Sequence, residues 1–173
     1  MENYFSDKNP LVTLKIKDYG TITLELFKEV APNSVSNFCH LANQGYYDGL
    51  NFHRIIKGFM IQGGWGKDTG CKIKGEFMSN GFNNPLKHKR GVISMARTMV
   101  KDSATSQFFI MHQDAPHLDG EYAAFGAMVD GFDVLDQVAK VKTDHADKPL
   151  TDIIIERVHV NLRETTFEDR VCV

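Results

Sequence analysis

Two-residue alternation between residues 11 and 27 commits this chain to a half-buried antiparallel sheet. In the segment LVTLKIKDYGTITLELF, apolar residues take every second position on both sides of Asp18-Tyr19-Gly20, and threonine, lysine and glutamate fill the positions between. Successive side chains of a strand point to opposite faces, so the pattern predicts one buried and one solvated face. The glycine predicts a hairpin turn at the interruption.

Two other segments follow the helical period. APNSVSNFCHLANQG is predicted to begin at an Asn33 or Ser34 cap and to end at Gly45, and GFDVLDQVAKV predicts a second helix. The apolar faces comprise Val35, Phe38, Leu41 and Ala42 in the first helix and Phe132, Leu135 and Val138 in the second.

The rest of the chain contains short strand-like segments separated by turns rich in glycine, asparagine and aspartate. They are Leu50–Ile56, Phe59–Gln62, Gly91–Ala96, Gln107–Met111 and Ala123–Val129, and TDIIIERVHVNL closes the series. Many short strands with two helices favour an antiparallel barrel or sandwich capped by helices. We expect one domain over residues 1–173, with a core at about 11–162, a long surface loop from Gly66 to Lys89 and a polar tail at 163–173.

Charge and composition narrow the range of partners. The 173 residues carry a net charge of −2 and no basic block, which predicts that nucleic acid is not a partner. The N-terminus MENYFSDKNP lacks the layout of a signal peptide, and no apolar run approaches a membrane span. Cys39, Cys71 and Cys172 are far apart without a C-x-x-C motif, so we expect no disulfide framework. These features predict a cytoplasmic monomer away from membranes, with Cys39 as a small buried apolar residue.

Several catalytic chemistries lack their sequence signature. No G-x-S-x-G motif occurs, and Ser94 in GVISMAR is interpreted as an ordinary strand residue. No H-x-x-x-H pair is present, and His112 and His117 stand five residues apart in a predicted loop. Phosphate-binding glycine motifs are also missing, so we expect neither a metal nor a cofactor.

The segment FHRIIKGFMIQGG places one arginine among large apolar residues. If Lys57-Gly58-Phe59 is a three-residue hairpin loop, Arg54 lies opposite Gln62 and Ile56 lies opposite Met60. The Gln62 amide oxygen is then predicted to orient the guanidinium.

Two further segments supply material for a pocket beside this arginine. SATSQFFIMH carries Gln107 and Phe109 in alternation, and APHLDGEYAAFG carries His117, Leu118 and Tyr122 around an Asp-Gly turn. With Phe59 and Met60 they predict a concave apolar patch with few polar groups, typical of a small-ligand pocket. The same residues also suit an ordinary core covered by the arginine stem, and composition alone favours that interpretation.

Taken together, FHRIIKGFMIQGG, GVISMAR, SATSQFFI and HLDGEYAAFG closely resemble, in order and separation, the cyclophilin family of peptidyl-prolyl isomerases. The segments NNPLKH and GFDVLDQVAK are similar to that family as well, and the resemblance spans about Leu11 to Leu162. It implies an eight-stranded closed antiparallel β-barrel capped by two α-helices, with the active groove on its outer surface. The form MART…SATSQFF looks more like bacterial members.

The resemblance also implies roles for individual residues. Arg54 matches the catalytic arginine, Gln62 the residue that orients it, and Phe59 a catalytic wall residue. The implied substrate-binding residues are Met60, Ala96, Arg97, Gln107, Phe109, His117, Leu118 and Tyr122. The implied partners are proline-containing peptides and unfolded or folding proteins, with no cofactor.

The sequence departs from the family pattern at several positions. His117 replaces a tryptophan associated with tight cyclosporin binding, so we expect weak binding of that drug. Tyr122 replaces a histidine, Lys57 replaces a proline, and Met99-Val100-Lys101 forms an unusual loop beside the groove. The main hypothesis is an isomerase that assists folding. A proline-peptide binding module or chaperone without turnover is the alternative, ahead of an unrelated hydrolase or metalloprotein.

Overall fold

The computed structural model describes residues 2–166 and 168–173, and these form eight strands and two α-helices. The strands are β1 (Leu11–Ile16), β2 (Gly20–Leu26), β3 (Arg54–Ile56), β4 (Met60–Gly63), β5 (Val92–Met95), β6 (Phe108–Met111), β7 (Ala124–Asp130) and β8 (Ile155–Asn161). The helices are α1 (Pro32–Asn43) and α2 (Phe132–Ala139), and short 3-10 turns occur at Glu2–Tyr4, Met78–Asn80 and Pro116–Leu118. Each strand and helix predicted from the sequence is present. Neither helix has the length and apolar character needed to cross a membrane.

All eight strands belong to one antiparallel sheet, in the order β3-β4-β6-β5-β7-β2-β1-β8. The closed barrel expected from the family resemblance is wrong, because the sheet curves through 217° and remains an open half-barrel. Its edges are β3, only three residues long, and β8. An isolated bridge between Asn51 and Ile154 links the segments just before them. The edges therefore overlap over too few residues to form a continuous ladder.

The hairpin formed by β1 and β2 has the predicted alternation and turn. Ile16 pairs with Gly20, and Asp18 adopts a positive φ of 68° between them. The inward residues of β1 and β2 are fully buried, and the predicted apolar positions of α1 are buried. On α2 the prediction fails at one position: Phe132 is 37% exposed, and its ring lies under the Arg90 guanidinium, 5.4 Å from its centroid. Phe132 is the first residue of the helix and lies at its end, so its ring packs beneath the Arg90 side chain instead of joining the core.

Helix α1 is capped from outside its own sequence. The predicted caps Asn33 and Ser34 lie inside the helix, and no side chain of the N-cap residue Ala31 bonds its first turn. Instead, the buried Glu76 carboxylate accepts the backbone N–H groups of Asn33 and Ser34, at 3.2 and 2.6 Å, and the Ser34 hydroxyl. Burial raises the pKa of Glu76, while the hydrogen bonds from Ser34 and Asn33 lower it. The segment 66–89 therefore packs into the body of the protein at Glu76 and is not only a surface loop.

The polar tail is fastened to this same segment. Cys71 and Cys172, 101 residues apart, form a disulfide with a Cα–Cα distance of 5.2 Å. The sequence predicts no disulfide framework, and the structure contains this one bond, because the fold brings together two cysteines whose spacing carries no signal. Cys39 is free and fully buried on α1, as predicted, and burial raises its thiol pKa to about 12.

Candidate active site

The hairpin formed by β3 and β4 has the predicted register. Arg54 lies opposite Gln62 and Ile56 opposite Met60, and Gly58 takes a φ of 79° in the connecting loop. A positive φ favours glycine, which explains the residue at that position. Ile55 points into the core while its neighbour Arg54 is exposed, as alternation along a strand requires. The arginine therefore stands on the outer face of the sheet.

Strand β6 places an aromatic wall beside this hairpin. It pairs with β4 so that Phe109 lies opposite Gln62, and with β5 so that Phe109 lies opposite Ser94. The result is a cavity of ≈ 160 Å³, smaller than the roughly 300–1,000 Å³ of sites for drug-sized ligands. It suits one small side chain. Its lining consists of Arg54, Phe59, Met60, Gln62, Ala96, Arg97, Phe109, Leu118 and Tyr122.

All nine lining residues belong to the predicted set of eleven, and the other two lie beside the cavity. His117 stacks on Phe59 with ring centroids 5.7 Å apart. Gln107 accepts a hydrogen bond of 3.0 Å from the Gln62 side-chain amide and lines an adjoining cavity with Gln62. The fold thus gathers residues from four separated segments of the chain into one concave surface.

Two cations, Arg54 and Arg97, line the cavity among its polar groups. Within residues 2–166 and 168–173, the Arg54 guanidinium makes no hydrogen bond or ion pair, so the predicted bond from Arg54 to Gln62 is not formed. The Gln62 amide is nevertheless oriented, because its nitrogen donates to Gln107. Burial lowers the pKa of the neighbouring His53, and the Arg54 charge lowers it further. A lowered pKa favours the neutral form of His53, so this neighbour adds no second positive charge beside Arg54.

Behind the apolar wall lies a hydrogen-bonded triad that sequence reasoning missed. His88 Nδ1 is 3.1 Å from Asp119 Oδ1, and His88 Nε2 is 2.9 Å from Ser94 Oγ. The His88 ring stacks on Phe109, with centroids 6.0 Å apart. Because Asp119 accepts the proton on Nδ1, Nε2 accepts from the Ser94 hydroxyl. A hydrolase uses the same residue types, but Ser94 is 0% and His88 1% exposed, so Ser94 Oγ meets no substrate.

This triad predicts that stability falls in mild acid. Burial is the largest cause that lowers the pKa of His88 from its usual 6.5, and the Asp119 hydrogen bond opposes it in part. Below 6.5 the unfolded chain binds a proton that the folded protein resists, so the free energy of unfolding decreases as pH falls toward the folded-state pKa. We expect urea unfolding between about pH 7 and about pH 5 to show this decrease.

His88→Gln should flatten this pH dependence while costing about 1–3 kcal/mol at neutral pH through lost buried hydrogen bonds. His159, which is exposed on β8, provides the matched control. His159→Gln should retain the wild-type slope. An unchanged slope in His88→Gln would exclude His88 as its source.

No group of three or more metal-ligating side chains that could hold an ion occurs in the described part of the chain.

Comparison with known proteins supplies an independent line of evidence. A family model for cyclophilin-type peptidyl-prolyl cis-trans isomerases matches residues 11–160. The chain is 44% identical over 146 residues to a peptidyl-prolyl cis-trans isomerase of Arabidopsis thaliana, covering 82% of this chain and 91% of that protein. It is 42% identical over 158 residues to peptidyl-prolyl cis-trans isomerase B of Escherichia coli, covering 83% of this chain and 96% of that protein.

Solved structures resemble the fold as well. A cyclophilin-type isomerase of Cryptosporidium parvum superposes with a TM-score of 0.79 at 34% identity, covering 88% of this chain and 98% of that one. A second structure of that isomerase, solved in the presence of the dipeptide Ala-Pro, gives a TM-score of 0.78 at 34% identity and covers 87% and 98% of the two chains.

Proposed function

Because this chain belongs to the family of cyclophilin-type peptidyl-prolyl cis-trans isomerases, we propose that Arg54 promotes isomerisation by donating a hydrogen bond to the proline nitrogen as the bond twists. The reaction is rotation about an X-Pro peptide bond, which faces a barrier of about 18–20 kcal/mol. The observation that supports this role is the exposed Arg54 guanidinium at the edge of the apolar cavity.

The chemistry of the twisted amide explains why a cation is useful. In the planar amide the nitrogen lone pair is delocalised, whereas at the half-rotated transition state it is localised and accepts a hydrogen bond. A donor aimed at that nitrogen binds the transition state better than either ground state, as catalysis requires. Arginine suits this task because it is always protonated and its fork is rigid. Such a charge-assisted bond contributes about 1.5–3 kcal/mol.

Gln62 then acts as the orienting residue. Its amide nitrogen is occupied by Gln107, so its oxygen is the atom left to accept from Arg54 when substrate fills the cavity. We expect that bond to form in the complex, since catalytic hydrogen bonds are often long or absent before substrate binds.

The apolar wall holds the proline ring and excludes water. Met60, Phe109 and Leu118 are buried beneath the cavity, and Phe59 and Tyr122 complete its lining. Because the planar amide is more dipolar than the twisted one, removal of water disfavours the ground state more than the transition state.

The backbone beside Ala96 and Arg97 binds the peptide main chain in this proposal. The Ala96 amide already donates to the Gln107 carbonyl at 3.0 Å. Among the described residues the Arg97 N–H has no acceptor, which leaves it available to an extended peptide.

The substrates that fit this site are proline-containing peptides and unfolded or folding proteins. Support comes from the Cryptosporidium parvum relative, which was studied with Ala-Pro. Weak cyclosporin binding and a monomeric state also remain part of the proposal.

The disulfide changes the proposed compartment. The cytoplasmic localisation expected from the sequence relied in part on cysteines without a disulfide framework, and Cys71 and Cys172 are bonded to each other. Disulfides persist in oxidising compartments and are rare in the cytosol, so we propose an oxidising environment for the folded protein.

The experiment that separates an isomerase from a binding module is NMR exchange of a short Ala-Pro peptide. Catalytic amounts of protein should bring cis–trans exchange from tens of seconds or longer into the millisecond range, which corresponds to about 6 kcal/mol of barrier lowering. Binding of the peptide without faster exchange would contradict the proposed role of Arg54 and favour the binding module.

A further inference from the structure

The half-buried side chain of Arg97 is held by two aromatic rings and two backbone carbonyls. Its guanidinium carbon lies 4.9 Å from the ring centroid of Phe77 and 4.6 Å from that of Tyr122. Its Nε and Nη2 atoms donate to the Glu121 carbonyl at 3.2 and 2.7 Å, and Nη1 donates to the Thr98 carbonyl at 2.9 Å. The planar guanidinium thus contacts two aromatic faces and two backbone carbonyls at once.

These contacts join segments that are remote in sequence. Phe77 belongs to the long segment before β5, Arg97 follows β5, and Tyr122 precedes β7. None of the ion pairs among residues 2–166 and 168–173 includes Arg97. The donors of its side chain are directed at backbone carbonyl oxygens of the protein and not at an acidic side chain.

The residue that Arg97 holds forms part of the cavity wall. The Tyr122 ring packs edge-on against Phe109 with centroids 5.7 Å apart, and both rings line the cavity. Beyond Arg97, the turn that carries Tyr122 is fixed by Glu121, whose amide donates to the Leu118 carbonyl and whose carboxylate accepts from the Ser79 hydroxyl. Those contacts fix Glu121 but do not involve the Tyr122 ring. The orientation of that ring is therefore set by its contacts with Arg97 and Phe109.

We propose that Arg97 is a positioning residue for substrate binding, which holds Tyr122 as a wall of the proline pocket. This inference rests on the proposed function of the cavity but does not depend on the role of Arg54. The Tyr122 wall contacts the proline ring, which is present in both ground states and in the transition state. Loss of its orientation weakens all three equally, so KM should rise while kcat stays unchanged.

The shape of the cation, and not only its charge, is what the contacts require. An ammonium group lacks the planar fork that stacks between two rings and reaches two carbonyls. Arg97→Lys should therefore fail to restore the wild-type KM, even though it preserves the charge. Arg97→Met, which retains an unbranched apolar stem, removes both features.

The test is a double-substitution cycle measured by isomerisation of an Ala-Pro peptide. We expect Arg97→Met to raise KM about fivefold with kcat retained, and Arg97→Lys to give nearly the same increase. In a Tyr122→Ala background, Arg97→Met should add no further increase, because the group it positions is gone. Additive effects of Arg97→Met and Tyr122→Ala would overturn the proposal.

A second substrate distinguishes positioning from direct recognition. With a Glu-Pro peptide, Arg97→Met should raise KM by the same factor as with Ala-Pro. A selectively larger increase for the acidic peptide would assign the Arg97 charge to substrate and overturn the proposal. If the wild type failed to accelerate exchange, the proposed function itself would fall; a fast wild type with an unchanged KM in Arg97→Met would overturn the Arg97 inference alone.

Discussion

Arg54→Ala should reduce kcat and kcat/KM for an Ala-Pro peptide by roughly 10- to 150-fold while the protein stays folded. The range corresponds to loss of one charge-assisted hydrogen bond that exists only in the transition state. Such a loss lowers kcat and kcat/KM equally and leaves KM near its wild-type value. Exchange NMR over a series of peptide concentrations measures both quantities.

The fold should survive this substitution because Arg54 contributes little to it. Its side chain is exposed, and within the described residues it makes no hydrogen bond. Exposed substitutions of this kind usually change the free energy of unfolding by less than about 0.5 kcal/mol. Urea unfolding of wild type and Arg54→Ala therefore separates a catalytic defect from a folding defect.

Two matched variants identify which property of Arg54 matters. Arg54→Met keeps an apolar stem without a donor and should be as slow as Arg54→Ala. Arg54→Lys keeps a charge without the rigid fork and should recover part of the rate. If Arg54→Met retained the wild-type kcat, the hydrogen bond to nitrogen would be excluded, and the apolar wall alone would have to explain catalysis.

The pairing of Arg54 with Gln62 was predictable because it depends only on residues that are close in sequence. The pairing of Arg54 with Gln62 follows from a three-residue loop and a side-chain period of two, both of which are encoded within a few residues. The alternation of β1 and β2 is local in the same way. These features required no knowledge of the rest of the chain.

Features that depend on distant contacts were not predictable from pattern. Glu76 caps α1 from 42 residues away, and His88 meets Asp119 across 31 residues. The sequence pattern marks Asp119 only as part of an Asp-Gly turn, and no local periodicity indicates that His88 is buried and hydrogen-bonded through both ring nitrogens. A signal was available in NNPLKH, which contains His88 and is similar to the family, but it gave no role to that residue.

The prediction of a closed barrel failed for a related reason. Eight strand-like segments are countable in the sequence, but closure depends on how many residues of the two edge strands overlap. The short β3 and the late start of β8 set that overlap, and neither boundary was visible in the pattern. The sequence thus predicted the eight strands and their antiparallel pairing. The family resemblance predicted a closed barrel, which the structure does not form.

The second large effect is expected from the Cys71–Cys172 disulfide. The tail that it fastens also bonds to the first turns of α1, where Val171 N–H donates to Asn33 Oδ1 at 2.8 Å and Arg170 donates to Asn37 Oδ1 at 2.9 Å. These contacts are exposed or half-buried and are individually weak. The covalent link is the one tail contact that also constrains the unfolded chain.

Cys172→Ser should lower the free energy of unfolding by about 2–4 kcal/mol. The two cysteines are 101 residues apart, so reduction frees a long loop whose closure entropy the disulfide had removed from the unfolded chain. For a domain of this size we expect the melting temperature to fall by roughly 5–15 °C. Both quantities are measured by denaturant and thermal unfolding followed by circular dichroism.

Reductant provides the control that isolates the bond from the side chain. Reduced wild type should match Cys172→Ser, and reductant should not destabilise Cys172→Ser any further. Alkylation under native conditions should label no thiol in oxidised wild type, because the one free thiol, Cys39, is fully buried and its pKa is raised to about 12. Equal stability of wild type and Cys172→Ser, with and without reductant, would show that the disulfide does not stabilise the fold.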